Sequence, residues 1–528
     1  MRKLKSIIAA TLALIMVLGV AQTAFARVGQ IGFFGGITEG VPLRLTTETL
    51  LAQPTTGNQG NANFRNMAYA EMVWITGEPI EVTGTMTMTV SNAGGRNASA
   101  THGSRTVRYE ISAENEEFGV TLSRDIRFVV NWRRVGDQII ETYSVERNNQ
   151  NVLRWSETIT IGDTVYTICT TRSRHEISFI RDITPGVEYY SGNISMRAVY
   201  LDDDENIAVS HYIIGEINGF ESLWSSAETH RLDGIVSHTA GGWQMQYHLV
   251  PSVAVHKDLQ FTQNEPTLTS FFGNYRELTI NQSGLNYVIY VQPPHRTNSP
   301  TSGRATIESF NRFEQLIAPN LSHLRGHWAY GDIRRLFAIE VLTGNPHHFV
   351  PNQAVTRAEF MTMLARATGL PVDEAHRTPP APPRNGRAVQ VDLTFPDLWP
   401  NRPDYAYLRA INYHGIAEGR GDGHFHPDEM LSREEAFVLT LRMLGLSILG
   451  LDFPLTAFAD SDSISPWAIN DISAAHRIGL IAPDAYGYLH PQDYMTKAQA
   501  AALVNRLIDY MRNELMRDYT ENIINFLN

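Results

Sequence analysis

One eleven-residue block occurs three times, without gaps, near the C-terminal end of this 528-residue chain. The copies are residues 349–359, 425–435 and 489–499. Each has proline at its third position and ends in Thr or Ser, a cation, one further residue and Glu or Gln. Apolar residues next to the blocks recur at helical spacing, as at Phe360 and Leu364. The repeat therefore predicts three units of helix, loop and helix.

Upstream of the repeats, from about residue 63 to residue 292, apolar residues alternate with polar ones. The alternation is clearest over residues 80–90. A period of two is typical of strands with one buried face. Short connections at residues 135–137 and 161–163 suit hairpins and leave no room for crossover helices. This half is predicted to be mainly antiparallel β, as a large sandwich or meander.

The start of the chain has the features of an export signal. Basic residues at positions 2, 3 and 5 precede an apolar run, and residues 24–26 form an Ala-x-Ala cleavage site. The formal net charge of −12 argues against a nucleic-acid partner, because such proteins carry a basic footprint. No later stretch reaches the roughly 18 apolar residues of a membrane span. We therefore expect a secreted protein without a membrane span once the signal is removed.

Clusters of turn-forming residues at 293–303 and 378–386 separate these regions. The predicted organisation is a multidomain chain. Its parts are a signal peptide at 1–26, a β-rich domain at 27–300, a linker and leading helix at 301–317, repeat 1 at 318–372, a Pro-rich insert at 373–391, repeat 2 at 392–448, repeat 3 at 455–510 and a C-terminal helix at 511–528.

Each block also contains the pattern of a helix capping box. A hydroxyl at the N-cap accepts a hydrogen bond from the N3 amide, and a Glu or Gln at N3 reaches back to the N-cap amide. The predicted capping residues are Thr356, Glu359, Ser432, Glu435, Thr496 and Gln499.

Capping does not explain the cation that follows each hydroxyl. Arg357, Arg433 and Lys497 stand at N1, where the positive end of the helix dipole disfavours a cation. A cation beside free N–H groups at a helix N-terminus is what an anion site requires. We interpret these residues as anion-binding, in preference to a merely solvated face.

The helical half resembles three S-layer homology (SLH) repeats. The resemblance rests on the tetrapeptide at residues 356–359, on residues 327–329 and 395–397, and on the loop at 419–425. It implies an all-α, pseudo-threefold module whose inter-repeat grooves hold a secondary cell-wall polysaccharide through a terminal pyruvylated N-acetylmannosamine. An Arg fork can bind the ketal carboxylate, and the apolar face of the sugar can lie on an aromatic ring.

The resemblance also implies a set of binding residues and a ranking of the grooves. Departures from the family pattern are His323, Glu340 and Pro403, and Pro483, Lys497 and Gln499 in the third repeat. We therefore rank the groove that uses Arg433 and Asp397 first, that of Arg357 second and that of Lys497 last. The implied polysaccharide-binding residues are Arg433, Arg357, Lys497, Asp397, Asp460, Trp328, Trp467, Gly344 and Gly419.

Other candidates are weaker. Cys169 is predicted to be a strand side chain, and residues 202–206 are predicted to be a hairpin turn, because Ile207 replaces the glycine that a calcium loop needs. The histidines of the β half match no catalytic motif. Paired carboxylates can still be assembled in space. No catalytic residue, metal ligand or cofactor is therefore assigned.

The sequence predicts a non-enzymatic protein of the bacterial cell wall or S-layer. Its SLH module would anchor it to pyruvylated polysaccharide while the β domain is displayed as a structural component of the envelope. Self-association and other surface proteins are further candidate partners. The alternative is an SLH-anchored enzyme or glycan-binding protein with its site in the β domain.

Overall fold

The computed structural model describes residues 34–38, 61–91, 102–136, 138–263, 272–294, 300–307, 312–370, 372, 395–450 and 458–519. The predicted signal peptide and the Pro-rich insert at 373–391 lie outside these residues.

Sixteen strands of the described chain form one antiparallel sheet. They are β1 Ile37–Thr38, β2 Asn61–Val73, β3 Ile80–Ser91, β4 His102–Asn115, β5 Val120–Val135, β6 Gln138–Val145, β7 Trp155–Ile161, β8 Thr164–Ile168, β9 Arg174–Ile183, β10 Val187–Leu201, β11 Ile207–Ser222, β12 Ser225–His238, β13 Trp243–Thr262, β14 Asn274–Val291, β15 Thr301–Ala305 and β16 Arg312–Ile317.

The strand order is that of a meander. Strands β1 to β6 and β9 to β15 follow one another in space, while the β7–β8 hairpin pairs with β5 and β10, and β16 pairs with β14. Inward side chains from β1 through β15 belong to a single hydrophobic core, and β1 contacts β13 and β14. The sheet therefore curls back on itself. The prediction of a mainly antiparallel β half is confirmed.

The alternation read from the sequence sets which side chains point inward. In β5, every second residue from Val120 to Val130 is buried, including Arg124, and the residues that alternate with them are more exposed. Successive side chains of a strand point to opposite faces. The register in which a strand pairs with its neighbours therefore determines which of its side chains face the core.

The described residues after β16 are mainly helical, as predicted. The helices of the described residues are α1 Tyr330–Ala338, α2 Arg357–Thr368, α3 Tyr405–Tyr413, α4 Arg433–Leu444, α5 Ile469–Arg477, α6 Lys497–Asn513 and α7 Leu515–Asp518. Each repeat contributes two of the first six, and short 3₁₀ turns precede several of them.

The three repeats are joined by a cycle of backbone hydrogen bonds. Val355 N donates to Met495 O at 2.9 Å, Met495 N to Leu431 O at 2.9 Å, and Leu431 N to Val355 O at 3.0 Å. All three side chains are buried. The residues before α2, α4 and α6 therefore meet around one pseudo-threefold axis.

Two predicted boundaries are wrong. Residues 301–317 were expected to be a linker and a helix, but their described parts are the strands β15 and β16, which add to β14. The predicted boundary at residue 511 falls inside α6, which continues to Asn513.

The sheet and the helical module also share packing. Phe220 and Trp224 of the β half belong to the same hydrophobic core as the helices. Trp224 Nε1 donates to Ala367 O at 2.6 Å, and Gly186 N donates to Met443 O at 2.8 Å. The two halves are therefore in direct contact, not joined by a linker alone.

Candidate functional site

The three N1 cations lie at the seams between repeats. We name each seam by its cation. The Arg357 seam joins repeat 1 to Phe425 and Glu435 of repeat 2, the Arg433 seam joins repeat 2 to Leu489 and Asp493 of repeat 3, and the Lys497 seam joins repeat 3 to Gln353 and Glu359 of repeat 1.

The helix N-terminal amides at these seams are already bonded, which corrects the expectation that they are free for an anion. Each N1 and N2 amide donates to a carbonyl of the neighbouring repeat, and each N3 amide donates to the N-cap hydroxyl. The acceptors are Glu429 O and Pro427 O for α2, Asp493 O and Pro491 O for α4, and Gln353 O and Pro351 O for α6. Any anion contact must therefore come from side chains.

The capping boxes are complete in the first and third repeats. Thr356 N donates to Glu359 Oε2 at 3.0 Å, and Thr496 N donates to Gln499 Oε1 at 2.9 Å, with both hydroxyls accepting the N3 amides. In the second repeat, Ser432 accepts the amide of Glu435 at 3.3 Å, but the reciprocal bond of the predicted box is not made. The Glu435 carboxylate instead pairs with Arg357 and Arg420.

Arg357 is a buried residue, 3% exposed. Its guanidinium pairs with Glu435 and donates to Phe425 O at 3.2 Å and Glu418 O at 3.4 Å. Burial lowers the pKa of Arg357 to about 10. The whole donor fork of this arginine is thus used within the protein.

Lys497 is also paired. Its Nζ lies 2.6 Å from Oε1 of Glu359, and its side chain is 19% exposed. The carboxylate of Glu359 therefore acts twice, in its own capping box and across the Lys497 seam.

Arg433 differs from both. Its Nε donates to Leu489 O at 3.0 Å, the counterpart of the bond from Arg357 to Phe425. Within the described chain, no carboxylate forms an ion pair with Arg433, and burial lowers its pKa. Among the described residues, its two terminal nitrogens make no side-chain or backbone hydrogen bond.

The two predicted aspartates support loops. Asp397 accepts amides from Phe425 at 2.9 Å and His426 at 2.7 Å, and Asp460 accepts the equivalent amides of Leu489 and His490. Burial alone would raise the pKa of Asp397, but these backbone hydrogen bonds hold it below its ordinary value.

These contacts correct the predicted pairing of Asp397 with Arg433. Asp397 holds the loop of Phe425, to which Arg357 donates, so Asp397 belongs to the Arg357 seam. Asp460 holds the corresponding loop in the Arg433 seam. The error arose because each cation reaches into the following repeat and not its own.

Exposed tryptophans stand near two of the seams. Trp467 is 52% exposed and Trp328 is 63% exposed. The short 3₁₀ turn that carries Trp467 packs against α4, and the preceding Ser465 donates from N and Oγ to the Glu434 carboxylate at 3.0 and 2.7 Å. The turn that carries Trp467 thus lies beside the start of α4.

Trp328 stands at the equivalent position of repeat 1, whose helix α1 packs on α6 and forms a 2.8 Å ion pair between Arg335 and Asp509. In the Arg357 seam this position is Pro403. Of the seams described, the Arg433 seam is the one that combines an arginine, a tryptophan and no ion pair on the cation.

The two predicted glycines have different roles. A Cβ on Gly419 would lie 2.6 Å from the Phe395 ring, so this position requires close approach to an aromatic residue. Gly344 has φ of +95° and open space around it. Both shape loops between paired helices, and neither is placed against a cation by a described contact.

The β half holds its own buried charges. Arg124 forms two-pronged hydrogen bonds to Glu71 and to Glu157, all at 2.6–3.0 Å. Tyr69 and Tyr200 donate to the same two carboxylates. These acidic groups are therefore committed to a core network.

The weaker sequence candidates lie in strands and turns. Cys169 directly follows β8 and its amide bonds to Val199 O of β10. Asp202 accepts the amides of Asp204 and Asn206 in the turn between β10 and β11. Over the described residues, no group of three or more His, Cys, Asp or Glu is arranged to hold a metal ion, and no helix is long and apolar enough to cross a membrane.

A family model for the S-layer homology domain matches residues 320–361, 394–437 and 457–501. The C-terminal half therefore carries three SLH domains, in agreement with the sequence prediction.

Similar curated proteins include enzymes and an S-layer protein. An endoglucanase of Bacillus sp. (strain KSM-635) is 29% identical over 186 residues, covering 34% of this chain and 18% of the relative. Exoglucanase XynX of Acetivibrio thermocellus is 27% identical over 340 residues, covering 63% and 28%. An S-layer protein of Bacillus thuringiensis subsp. finitimus is 25% identical over 179 residues, covering 34% and 20%.

The chain spans less than a third of the length of these relatives. The SLH domains and the S-layer relatives identify a secreted protein that is associated with the bacterial cell wall.

Proposed function

We propose that the SLH module anchors this protein non-covalently to a secondary cell-wall polysaccharide that carries pyruvyl ketals. The β domain is then displayed at the surface as a structural component of the S-layer or envelope. Arg433 is the principal anion-binding residue, and Arg357 and Lys497 are lesser ones.

The observation that carries this proposal is the state of Arg433. Its Nε is fixed on Leu489 O at 3.0 Å, while its terminal nitrogens have no carboxylate partner in the described chain. A guanidinium held in this way presents a planar fork, which matches the two oxygens of a carboxylate. A pyruvyl ketal supplies such a carboxylate.

Trp467 gives the seam a second kind of contact. Its half-exposed ring is held beside α4 by the bonds between Ser465 and Glu434. An apolar sugar face can pack on an indole while the carboxylate meets Arg433. Asp460 supports this contact indirectly, because it holds the loop that contains Leu489.

Asp397, Gly344 and Gly419 act in the same indirect way, by shaping the loops between paired helices. Trp328 would supply the aromatic contact at the Lys497 seam.

A structural role for the β domain is favoured by the use of its buried acids. Glu71 and Glu157 are bonded to Arg124, Tyr69 and Tyr200 in the core. The alternative, an SLH-anchored enzyme or glycan-binding protein, is favoured by relatives named endoglucanase and exoglucanase. Assays of the purified chain on β-glucans, xylan and starch test it, and turnover above background would replace the structural role.

Sedimentation with isolated cell walls tests the anchoring proposal. The purified full chain should co-sediment with walls that carry the pyruvyl group and stay in the supernatant with walls from which mild acid has removed it. Arg433→Ala should remain in the supernatant with both, while Tyr290→Ala, a change at an exposed residue of β14, should sediment as the unaltered chain does. Equal sedimentation with both kinds of wall would contradict the role of pyruvate.

A further inference from the structure

A regular pairing links the three repeats. The cation at N1 of one repeat meets the residue at N3 of the next: Arg357 pairs with Glu435, and Lys497 pairs with Glu359. The backbone bonds that join the repeats are equivalent at all three seams, so by this equivalence the residue expected opposite Arg433 is Gln499. Gln499 carries no charge, so the third pair is not an ion pair.

Gln499 keeps the structural part of this role. Its Oε1 accepts the amide of Thr496 at 2.9 Å, as Glu359 Oε2 accepts the amide of Thr356 at 3.0 Å. The backbone N–H of Gln499 donates to Thr496 Oγ1 at 3.2 Å, as the backbone N–H of Glu359 donates to Thr356 Oγ1 in the first repeat. Replacing a carboxylate by an amide at N3 therefore leaves the capping box intact and removes the negative charge.

The acidic residues near Arg433 are engaged elsewhere. Asp484 accepts the amides of Tyr486 and Tyr488, both at 2.9 Å, and lies 3.1 Å from His490 Nε2. Asp493 lies 3.8 Å from the other ring nitrogen of the same histidine. Both carboxylates lie against His490, and neither forms an ion pair with Arg433 in the described chain.

We propose that Gln499 is the residue that selects the Arg433 seam for anion binding, so that this chain takes one pyruvylated sugar end with high affinity and not three. Gln499 selects this seam because it does not compete with the ligand for the arginine. At the Arg357 and Lys497 seams a carboxylate of the next repeat forms an ion pair with the cation, whereas at the Arg433 seam the carboxylate of the ligand takes that position. This inference rests on the proposed function.

The pair of variants Gln499→Glu and Glu359→Gln tests it, because they exchange the same two side chains at equivalent positions. Glu359 already serves a capping box and an ion pair at once, so Gln499→Glu should fold and pair with Arg433. Its melting temperature should be no lower than that of the unaltered chain. The probe is a pyruvylated N-acetylmannosamine monosaccharide, titrated calorimetrically into the full-length mature chain.

We expect one tight site in the unaltered chain and at least about a tenfold loss of affinity in Gln499→Glu, the scale of a charge-assisted contact. Glu359→Gln should keep the tight site and add a weaker one at Lys497. Equal affinity in Gln499→Glu and the unaltered chain, or three equal sites in the unaltered chain, would overturn the inference while leaving the proposed function in place. An unaltered chain that binds no probe would overturn the proposed function itself.

Discussion

Lys497 Nζ lies 2.6 Å from Glu359 Oε1, although 138 residues separate the two along the chain. This contact joins the last repeat to the first, where no peptide connection exists. The equivalent contact between Arg357 and Glu435 joins the first repeat to the second. Two of the three N1 cations therefore hold repeats of the module together. We expect their substitution to lower stability more than affinity.

Substitution of the three cations should separate binding from stability. Arg433→Ala should weaken the affinity for pyruvylated polysaccharide about ten- to a hundredfold, since a charge-assisted contact to a carboxylate contributes roughly 1.5–3 kcal/mol. Arg357→Ala should weaken it less, and Lys497→Ala least, because both cations are already paired. Calorimetric titration of the three variants gives the order.

The same variants should give a different order in thermal unfolding. Arg357→Ala leaves the Glu435 carboxylate short of a partner at a buried seam, so it should lower the melting temperature most. A Lys497→Ala loss of affinity as large as that of Arg433→Ala would contradict the ranking.

Loss of an N-cap hydroxyl should affect stability and leave affinity nearly unchanged. Thr356→Ala and Ser432→Ala each remove the acceptor of an N3 amide at 3.2–3.3 Å. Each should lower the free energy of unfolding by about 1 kcal/mol. Urea denaturation measures the change, and Thr356→Ser serves as the control because it keeps the hydroxyl.

A gain of stability is expected at Glu340. This residue has φ of +59°, the left-handed conformation that Gly415 and Gly479 adopt at the equivalent positions of the other repeats. A residue with a Cβ is disfavoured there by roughly 1–2 kcal/mol relative to glycine. Glu340→Gly should therefore raise the free energy of unfolding by about 1 kcal/mol, as measured by denaturant titration.

The reverse changes provide the control. Gly415→Ala and Gly479→Ala should each destabilise the module by a comparable amount, although both positions have open space for a Cβ. No loss in either variant would mean that backbone conformation does not limit stability here.

Contact between the halves predicts cooperative unfolding. Trp224 lies in the core shared with the helices and donates to Ala367 O at 2.6 Å. Trp224→Ala should cost about 3–5 kcal/mol and uncouple the halves. Differential scanning calorimetry should show one transition for the unaltered chain and two for the variant. Two transitions in the unaltered chain would instead support independent folding.

Much of the fold follows from local patterns. Period-two alternation predicted the antiparallel half, and the repeated blocks predicted the paired helices. Residues 301–317 were mistaken because Thr301–Ala305 and Arg312–Ile317 gain their strand character from pairing with β14. That pairing depends on residues distant in the sequence, and the neighbouring turn-forming residues favoured a linker.

The sequence predicted which residues form the candidate site, but not which residues lie next to one another in it. Sequence comparison identified Arg357, Arg433 and Lys497 as equivalent, yet their surroundings differ through Glu435, Gln499 and Glu359 of the neighbouring repeats. Glu and Gln serve a capping box equally well, and the sequence shows Gln499 only as a departure from the family pattern in the third repeat, not as a neighbour of Arg433. Its effect on charge becomes visible when the seam is formed between two repeats.

The cycle of hydrogen bonds among Val355, Leu431 and Met495 has a consequence for the number of repeats. An open stack of repeats has two ends and needs polar end units to cover them. A closed cycle has no ends, because each unit is both the donor and the acceptor of its neighbours. Removing any one unit from this chain would therefore leave the other two each with an unpaired backbone group at the axis, so the three repeats should be needed together.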